Sequence, residues 1–293
     1  MNRPKRFWPA LWGAALILSG ASAIAQPAQQ PSGTAQPAKP AARAKAAAVP
    51  MVMEPRAVEL LKAMSDRLAA AKSMSFVATV AEEAPSRLGP PLVYGSRYEV
   101  TMQRPDRLRV IRTGDGPASE FYYDGKTMMA WAPAEDLVAI ADAPPTIEAT
   151  LKKLFETSAT YYPFTDILVP DPGALLVGGG KLAFSIGKST IVGGVPTDMV
   201  AWANDNVFMQ IWIGADDKLP RRLRAVFRKD PLGLRHDLDL SDWRLDAPVA
   251  ADAFTSAKAR AGKPVAFTHP AAPVAMPAKP AKPATPKPPA KAQ

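Results

Sequence analysis

The sequence predicts a mainly β domain of the α+β class. It would be an incomplete antiparallel β-barrel, or strongly curved sheet, of about 10–11 strands, with an N-terminal helix and a mid-chain helical lid. Three observations carry this reading. Short segments of period-two hydrophobicity recur from residue 75 to residue 245. Helical periodicity appears once before them and once in their midst. Charge and proline are distributed so unevenly that both ends of the chain separate from a middle able to form a core.

The first helix is expected over 54–73 (EPRAVELLKAMSDRLAAAKS), with Pro55 at the first helical position. Val58, Leu61, Met64 or Ser65, Leu68 and Ala71 fall on one face. Strands are expected at 75–83, 96–104, 107–113, 120–124, 126–132 and 137–141. In the second of these, Tyr98, Val100 and Met102 alternate with Glu99, Thr101 and Gln103. Asp124-Gly125 between two strands is a hairpin signal. Residues 146–158 form the second helix, capped by Thr146, with Ile147, Leu151, Leu154 and Phe155 on one face. Two short apolar pieces follow, at 164–169 and 174–177, broken by Pro170 and Pro172.

Strands then resume at 183–191, 195–203, 207–214, 221–229 and 235–245. In the third of these, Val207, Met209, Ile211 and Ile213 form one face while Phe208 and Trp212 occupy the other, as in a sheet covered on both sides. In the last, Leu234, His236, Leu238 and Leu240 alternate with Arg235, Asp237, Asp239 and Ser241, so one side faces water.

The chain has 293 residues, no cysteine, 32 prolines and a formal net charge of +9. Residues 1–53 contain six basic residues and no acid, and residues 261–293 contain five lysines and no acid. The segment 54–260 therefore contains 25 basic and all 27 acidic residues, a net charge of −2. A near-neutral middle argues against phosphate binding by charge, and no nucleic-acid motif is present. Absence of cysteine excludes a disulfide framework, a thiolate metal site, a cysteine nucleophile and a lipid-modified cysteine.

Residues 1–25 read as a cleavable secretory signal: a basic start, the apolar run ALWGAALIL, and Ala23-Ile24-Ala25 before an expected cut after Ala25. An uncleaved anchor is the alternative, although a spanning helix needs about 20 apolar residues. Export without cysteine fits a periplasm. Residues 26–53 and 261–293 are rich in Ala and Pro, with Lys recurring in the second (PAKPAKPATPKPPAK), and both are expected to be disordered. The tail is either a plain soluble linker or a cationic spacer that touches an anionic envelope surface. The domain is expected over 54–260.

Catalytic motifs are scarce. Gly187-Lys188-Ser189 has the ending of a phosphate loop, but the first glycine of that motif would fall at Leu182. Of two histidines, His269 is in the tail, and His236 lies on a leucine face with Asp237 and Asp239 on the opposite side. His236 reads as a satisfied, partly buried side chain. The carboxylate pairs Glu82-Glu83, Glu135-Asp136 and Asp216-Asp217 read as solvated strand ends and turns. Arg222, Arg224 and Arg228 share a strand face and read as a solvated outer surface. No cofactor or metal is implied.

The order of parts resembles a known family. Gln103-Arg104-Pro105-Asp106-Arg107-Leu108-Arg109, then Phe121-Tyr122-Tyr123-Asp124-Gly125-Lys126, then Trp131-Ala132-Pro133, is similar to a motif run of the LolA-type lipoprotein carriers. Pro163-Phe164 with Ile167-Leu168 resembles their mid-chain lid, and Asp252-Ala253-Phe254-Thr255 their closing segment. The similarity spans 54–258, with specific motifs in about 30 residues. Within this LolA/LolB-like superfamily the chain looks closest to a family of predicted periplasmic proteins. The resemblance implies an incomplete barrel whose apolar cavity takes acyl chains beneath a helical lid, and an arginine, here Arg104, whose guanidinium grips the lid. The Pro/Lys tail has no counterpart in those carriers, and the segment near Pro90-Pro91 aligns poorly.

Three functions follow as expectations. The first is a non-enzymatic periplasmic protein that binds an acyl chain, lipid or lipidated partner. Its cavity candidates are Tyr98, Val100, Met102, Met128, Met209, Ile211, Leu223 and Phe227, since methionine suits a pocket for variable chains. The second is an interaction or sensor module with a filled core that acts through its surface and tail. The third is an envelope hydrolase, which has no motif behind it.

Overall fold

The computed structural model describes residues 52–269. The expected signal segment 1–25, nearly all of the linker 26–53, and the tail from residue 270 onward lie outside the described residues.

Helix α1 (Pro55–Ala70) begins with proline in its first turn, where a missing N–H costs nothing. Ala57, Leu60, Leu61, Met64, Ser65 and Leu68 are buried, while Val58 is only half-buried. The buried stripe is thus wider than the expected one and turned slightly from it. A helix lying inside a curved sheet must present such a broad face.

Twelve strands form one curved, unclosed sheet. They are β1 (Ser73–Ala84), β2 (Leu92–Gln103), β3 (Arg107–Gly114), β4 (Ser119–Tyr123), β5 (Thr127–Ala132), β6 (Leu137–Asp142), β7 (Leu182–Ser189), β8 (Thr197–Ala203), β9 (Val207–Gly214), β10 (Pro220–Phe227), β11 (Arg235–Leu245) and β12 (Lys263–Val265). Their order is β12-β6-β5-β4-β3-β2-β1-β11-β10-β9-β8-β7. Each half of the chain is a meander, and the halves join where β1 pairs with β11. This seam brings Val80 opposite Leu238 and Glu82 opposite His236.

β12 lies past residue 260, where the sequence placed the end of the domain. It runs parallel to β6 and pairs Lys263 with Leu137 and Val265 with Ala139. Three residues that follow Gly262 and have Pro264 at their centre are too short to show alternation, so no periodic signal marks this strand. At the other edge, the Glu54 amide donates to the Ala183 carbonyl (2.8 Å) and the Ala183 amide to Val52 (3.0 Å), covering part of β7.

The hairpin expected at Asp124-Gly125 joins β4 to β5. The Asp124 carboxylate accepts from the amides of Lys126 (3.0 Å) and Thr127 (2.8 Å), and Gly125 supplies the positive φ of 91° that the turn requires. Asp124 stays below the usual carboxylate range because these donors outweigh its desolvation.

The mid-chain insert comprises α2 (Ile147–Ser158), α3 (Thr165–Leu168) and a wide helical turn at Ala174–Gly178. Thr146 caps α2, its hydroxyl accepting from the Ala149 amide at 3.2 Å. Ile147, Thr150, Leu151 and Leu154 form the buried face, whereas Phe155 is 52% exposed. Thr150 takes the place expected for Phe155, and its hydroxyl is satisfied by the Pro144 carbonyl (3.2 Å). The outer face of β9 also differs from expectation. No second layer covers Trp212; the guanidinium of Arg222 lies over its ring at 5.9 Å, and Phe208 remains exposed.

Candidate functional site: an apolar cleft beneath the insert

The concave face of the sheet divides into a filled part and an open part. The filled part is aromatic. Tyr162 and Phe164 of the insert stack at 5.6 Å with a 10° interplanar angle. Phe164 meets Phe76 edge-on at 5.6 Å and Tyr98 at 5.3 Å, and Tyr162 lies 6.1 Å from Phe121. Phe76 in turn packs on Trp243 at 4.5 Å. This cluster plugs the concavity over β1 to β4.

On the other side of Phe164 a cleft of about 370 Å³ remains. Its wall is built by alternation: Val80 on β1, Leu238 on β11, Leu223, Ala225 and Phe227 on β10, and Met209 and Val207 on β9. The insert supplies its roof with Pro163, Phe164, Ile167 and Leu175. Trp202 of β8 closes the far end, and its indole N–H donates to the Leu176 carbonyl at 2.6 Å, tying roof to sheet.

Polar groups gather at the mouth. Glu82 and His236 approach to 3.9 Å, and the His236 ring meets Phe227 edge-on at 5.2 Å. The Glu82 carboxyl is held below its usual range, first by the adjacent His236 imidazole and then by the charge of Arg112, against desolvation. Asp166 moves the opposite way: its side chain reaches solvent, but the protein packed around it still disfavours the charged form. Tyr161, itself exposed at this mouth, is shifted up by partial desolvation and by the carboxylates of Asp166 and Glu82. An apolar interior with acidic and neutral polar groups at its entrance can hold a hydrocarbon and leave a head group in water.

Arg104 sits behind the roof. Its Nε donates to the Ala71 carbonyl (3.1 Å) and Nη1 to Leu168 (3.0 Å); Nη2 donates to Val169 (3.1 Å) and Leu68 (3.4 Å). One guanidinium thus joins the C-terminal ends of α1 and α3, where helix carbonyls lack partners of their own. Desolvation lowers its pKa.

Of the eight cavity candidates, Met209, Leu223 and Phe227 line the cleft. Tyr98, Val100, Met102, Met128 and Ile211 do not; they are buried in the packed core. All eight are on concave-facing positions, but alternation reports the face of a strand and not what covers it. Tyr162 and Phe164 cover Tyr98 and its neighbours. Val80, Ala225 and Leu238 have the same alternation and belong to the uncovered part. Phe164 and Ile167 stood in the segment that resembles a lid, and Trp202 was legible only as an apolar residue in a strand.

The other constellations resolve into structural pairs. Glu82 and Glu83 point to opposite sides of β1, and Glu83 binds Arg235. Arg222 meets Asp239 with two bonds, of 2.5 and 2.8 Å, and Arg224 lies 3.8 Å from Asp237, making the outer stripe a set of cross-strand ion pairs. Asp217 binds Arg221. Gly187 sits in β7 at a bulge with φ 124°. Among the described residues no group of three or more His, Asp or Glu is arranged to hold a metal ion, and no helix is long and apolar enough to cross a membrane.

A family model described as "Predicted periplasmic protein (DUF2092)" matches residues 57–268. No curated protein matches the chain. Among solved structures, the Mycobacterium tuberculosis lipoprotein LppX is 13% identical, with 68% of this chain and 100% of that chain covered and a TM-score of 0.44. MucB, in the MucA/MucB complex of Pseudomonas aeruginosa, is 16% identical over 70% of this chain and 62% of that chain, at a TM-score of 0.40. The LolA superfamily protein NE2245 from Nitrosomonas europaea is 12% identical over 68% of this chain and 97% of that chain, at 0.33. The chain thus spans under two thirds of the MucB structure's length.

Proposed function

Because the chain belongs to this family of predicted periplasmic proteins, we propose that it is a non-enzymatic periplasmic carrier or binding protein that takes the acyl chain of a lipid or lipidated partner into the cleft. The observation that carries this reading is the cleft itself: a space of about 370 Å³ with a mostly apolar lining, and with Glu82 and His236 at the strand ends that border it. Burial of each methylene contributes about 0.8 kcal/mol. The insert acts as the lid, and Arg104 holds it to α1. The exported form starts after Ala25, and the Pro/Lys tail is a cationic spacer in the envelope. LppX and NE2245 come from lipoprotein and LolA-superfamily contexts, which agrees with this reading at the level of fold.

The test is binding of a fluorescent fatty-acid probe to the purified chain, with native mass spectrometry for co-purifying lipid. Leu223→Trp and Ala225→Trp fill the cleft and should abolish probe binding while the chain stays folded. A chain with no bound lipid and no probe binding, or unchanged binding by both variants, sinks the proposal.

A second reading has its own observation. The aromatic plug fills the concavity over β1 to β4, as an interaction module with a packed core would require. That module would bind partners without the cleft, and it is the reading that survives if the probe fails.

A further inference from the structure

We propose that the mouth end of the sheet is a docking lip that seats on an anionic phospholipid surface through the β1–β2 and β10–β11 loops. This goes beyond the cleft reading and does not depend on it.

The two loops lie side by side. β1 ends at Ala84 opposite Leu92, Glu82 pairs with both Tyr94 and His236, and the Arg235 amide donates to the Glu83 carboxylate at 2.9 Å. The same end carries the cleft entrance, with Phe227, His236 and Glu82 in its rim. Leu88, at the tip of the first loop, is 90% exposed, and Leu232, at the tip of the second, is 61% exposed. Leu92, Val93 and Tyr94 continue the exposed apolar run from Leu88 into β2, and Tyr161 and Phe227 extend it to the entrance. Scattered exposed leucines are ordinary, but a contiguous run at one end is not.

The charges select the occupant. Residues 85–91 contain Arg87 and no acid, and Arg87 makes no hydrogen bond or ion pair among the described residues. Residues 228–234 contain Arg228, whose Nη1 donates to the Asn204 carbonyl at 2.9 Å, Lys229, and one acid, Asp230, whose carboxylate is turned into its own loop to accept from Leu232 (3.0 Å) and Leu234 (2.9 Å). Three neighbouring acids are engaged as well, Glu83 with Arg235, Asp115 with the Gly95 amide (2.7 Å) and Asp205 with Lys181 (2.5 Å), while Asp166 at the entrance has no hydrogen bond or ion pair among the described residues. Each tip therefore presents a leucine beside an arginine or lysine. That pairing suits a bilayer interface, where the leucine enters the acyl boundary and the cation meets anionic head groups. Docked this way, the entrance opens onto the bilayer, so a hydrocarbon passes into the cleft without crossing water.

The chain has no cysteine, so Leu88→Cys and Leu232→Cys in the full chain each take a single environment-sensitive fluorophore. On vesicles of phosphatidylglycerol and phosphatidylethanolamine both labels should shift to the blue and be quenched by lipids spin-labelled near the head group. Phosphatidylcholine vesicles should give little response. In the unlabelled chain, Leu88→Asp combined with Leu232→Asp should weaken vesicle partitioning about tenfold or more at an unchanged denaturant midpoint. Co-flotation with both labels still in water would mean attachment by the Lys-rich tail and would overturn the proposal. So would failure to co-float, or a double variant that partitions like the parent.

Discussion

Arg104 Nη1 donates to the carbonyl of Leu168 at 3.0 Å, while Nε of the same guanidinium donates to Ala71 at 3.1 Å. The bond to Leu168 ties the end of α3 to the sheet, and the bond to Ala71 does the same for the end of α1. Arg104→Ala leaves four partly buried carbonyls without this donor and should cost about 2–4 kcal/mol. Arg104→Lys keeps the charge but loses the planar fork, and should recover less than half of that loss. Urea unfolding measures both, and an Ala variant with the parent's midpoint would refute the clamp.

Phe164 is fully buried and touches three aromatic rings. Phe164→Ala should cost about 3–5 kcal/mol. It should also join the cleft to the space vacated beside Tyr98, so a bulkier fatty-acid probe should bind to the variant more tightly than to the parent. Equal affinities would mean that the plug does not bound the cleft.

Glu82 and Asp166 should respond to pH with opposite signs. Glu82 has a folded pKa below its ordinary 4.5, so its contribution is present above about pH 4.5 and disappears as pH falls through the folded value. Glu82→Gln should therefore be less stable than the parent at about pH 5.5, where the His236 imidazole can carry its proton, and converge with it near pH 3. Asp166 has a folded pKa above its ordinary 3.8, so ionisation at neutral pH opposes folding. Asp166→Asn should be the more stable chain at pH 7, with the advantage vanishing below the ordinary value. Thermal melts across pH 3 to 7 decide both, and parallel curves for parent and variants would contradict the assignment.

β12 predicts the result of truncation. A chain ending at Arg260 loses the pairing with β6 and exposes that edge, whereas a chain ending at His269 keeps it. The shorter chain should unfold at lower denaturant and aggregate more readily in light scattering. Identical behaviour would show that the last strand contributes nothing.

Much of this molecule was legible as pattern. The helix at Pro55, the Thr146 cap, the Asp124-Gly125 turn and eleven of the twelve strands each follow from a few adjacent residues, because capping, turn geometry and alternation are local. The motif around Arg104 and Pro105 carried a resemblance to the LolA-type carriers, and the structure places Arg104 against the insert. What alternation could not supply was depth. Phe155 and Thr150 compete for one helix face, and which of them is buried depends on the surface α2 meets.

The candidate site marks the same boundary. The sequence by itself determined which residues face inward: Tyr98, Val100, Met102, Met128, Met209, Ile211, Leu223 and Phe227 are all concave. Only the tertiary structure decided which of them border empty space. That depends on where the insert lays Tyr162 and Phe164, residues more than 60 positions from Tyr98 in the chain but in ring contact with it. A cavity is the absence of a neighbour, and neighbours across a curved sheet are set by long-range packing, which no local period encodes.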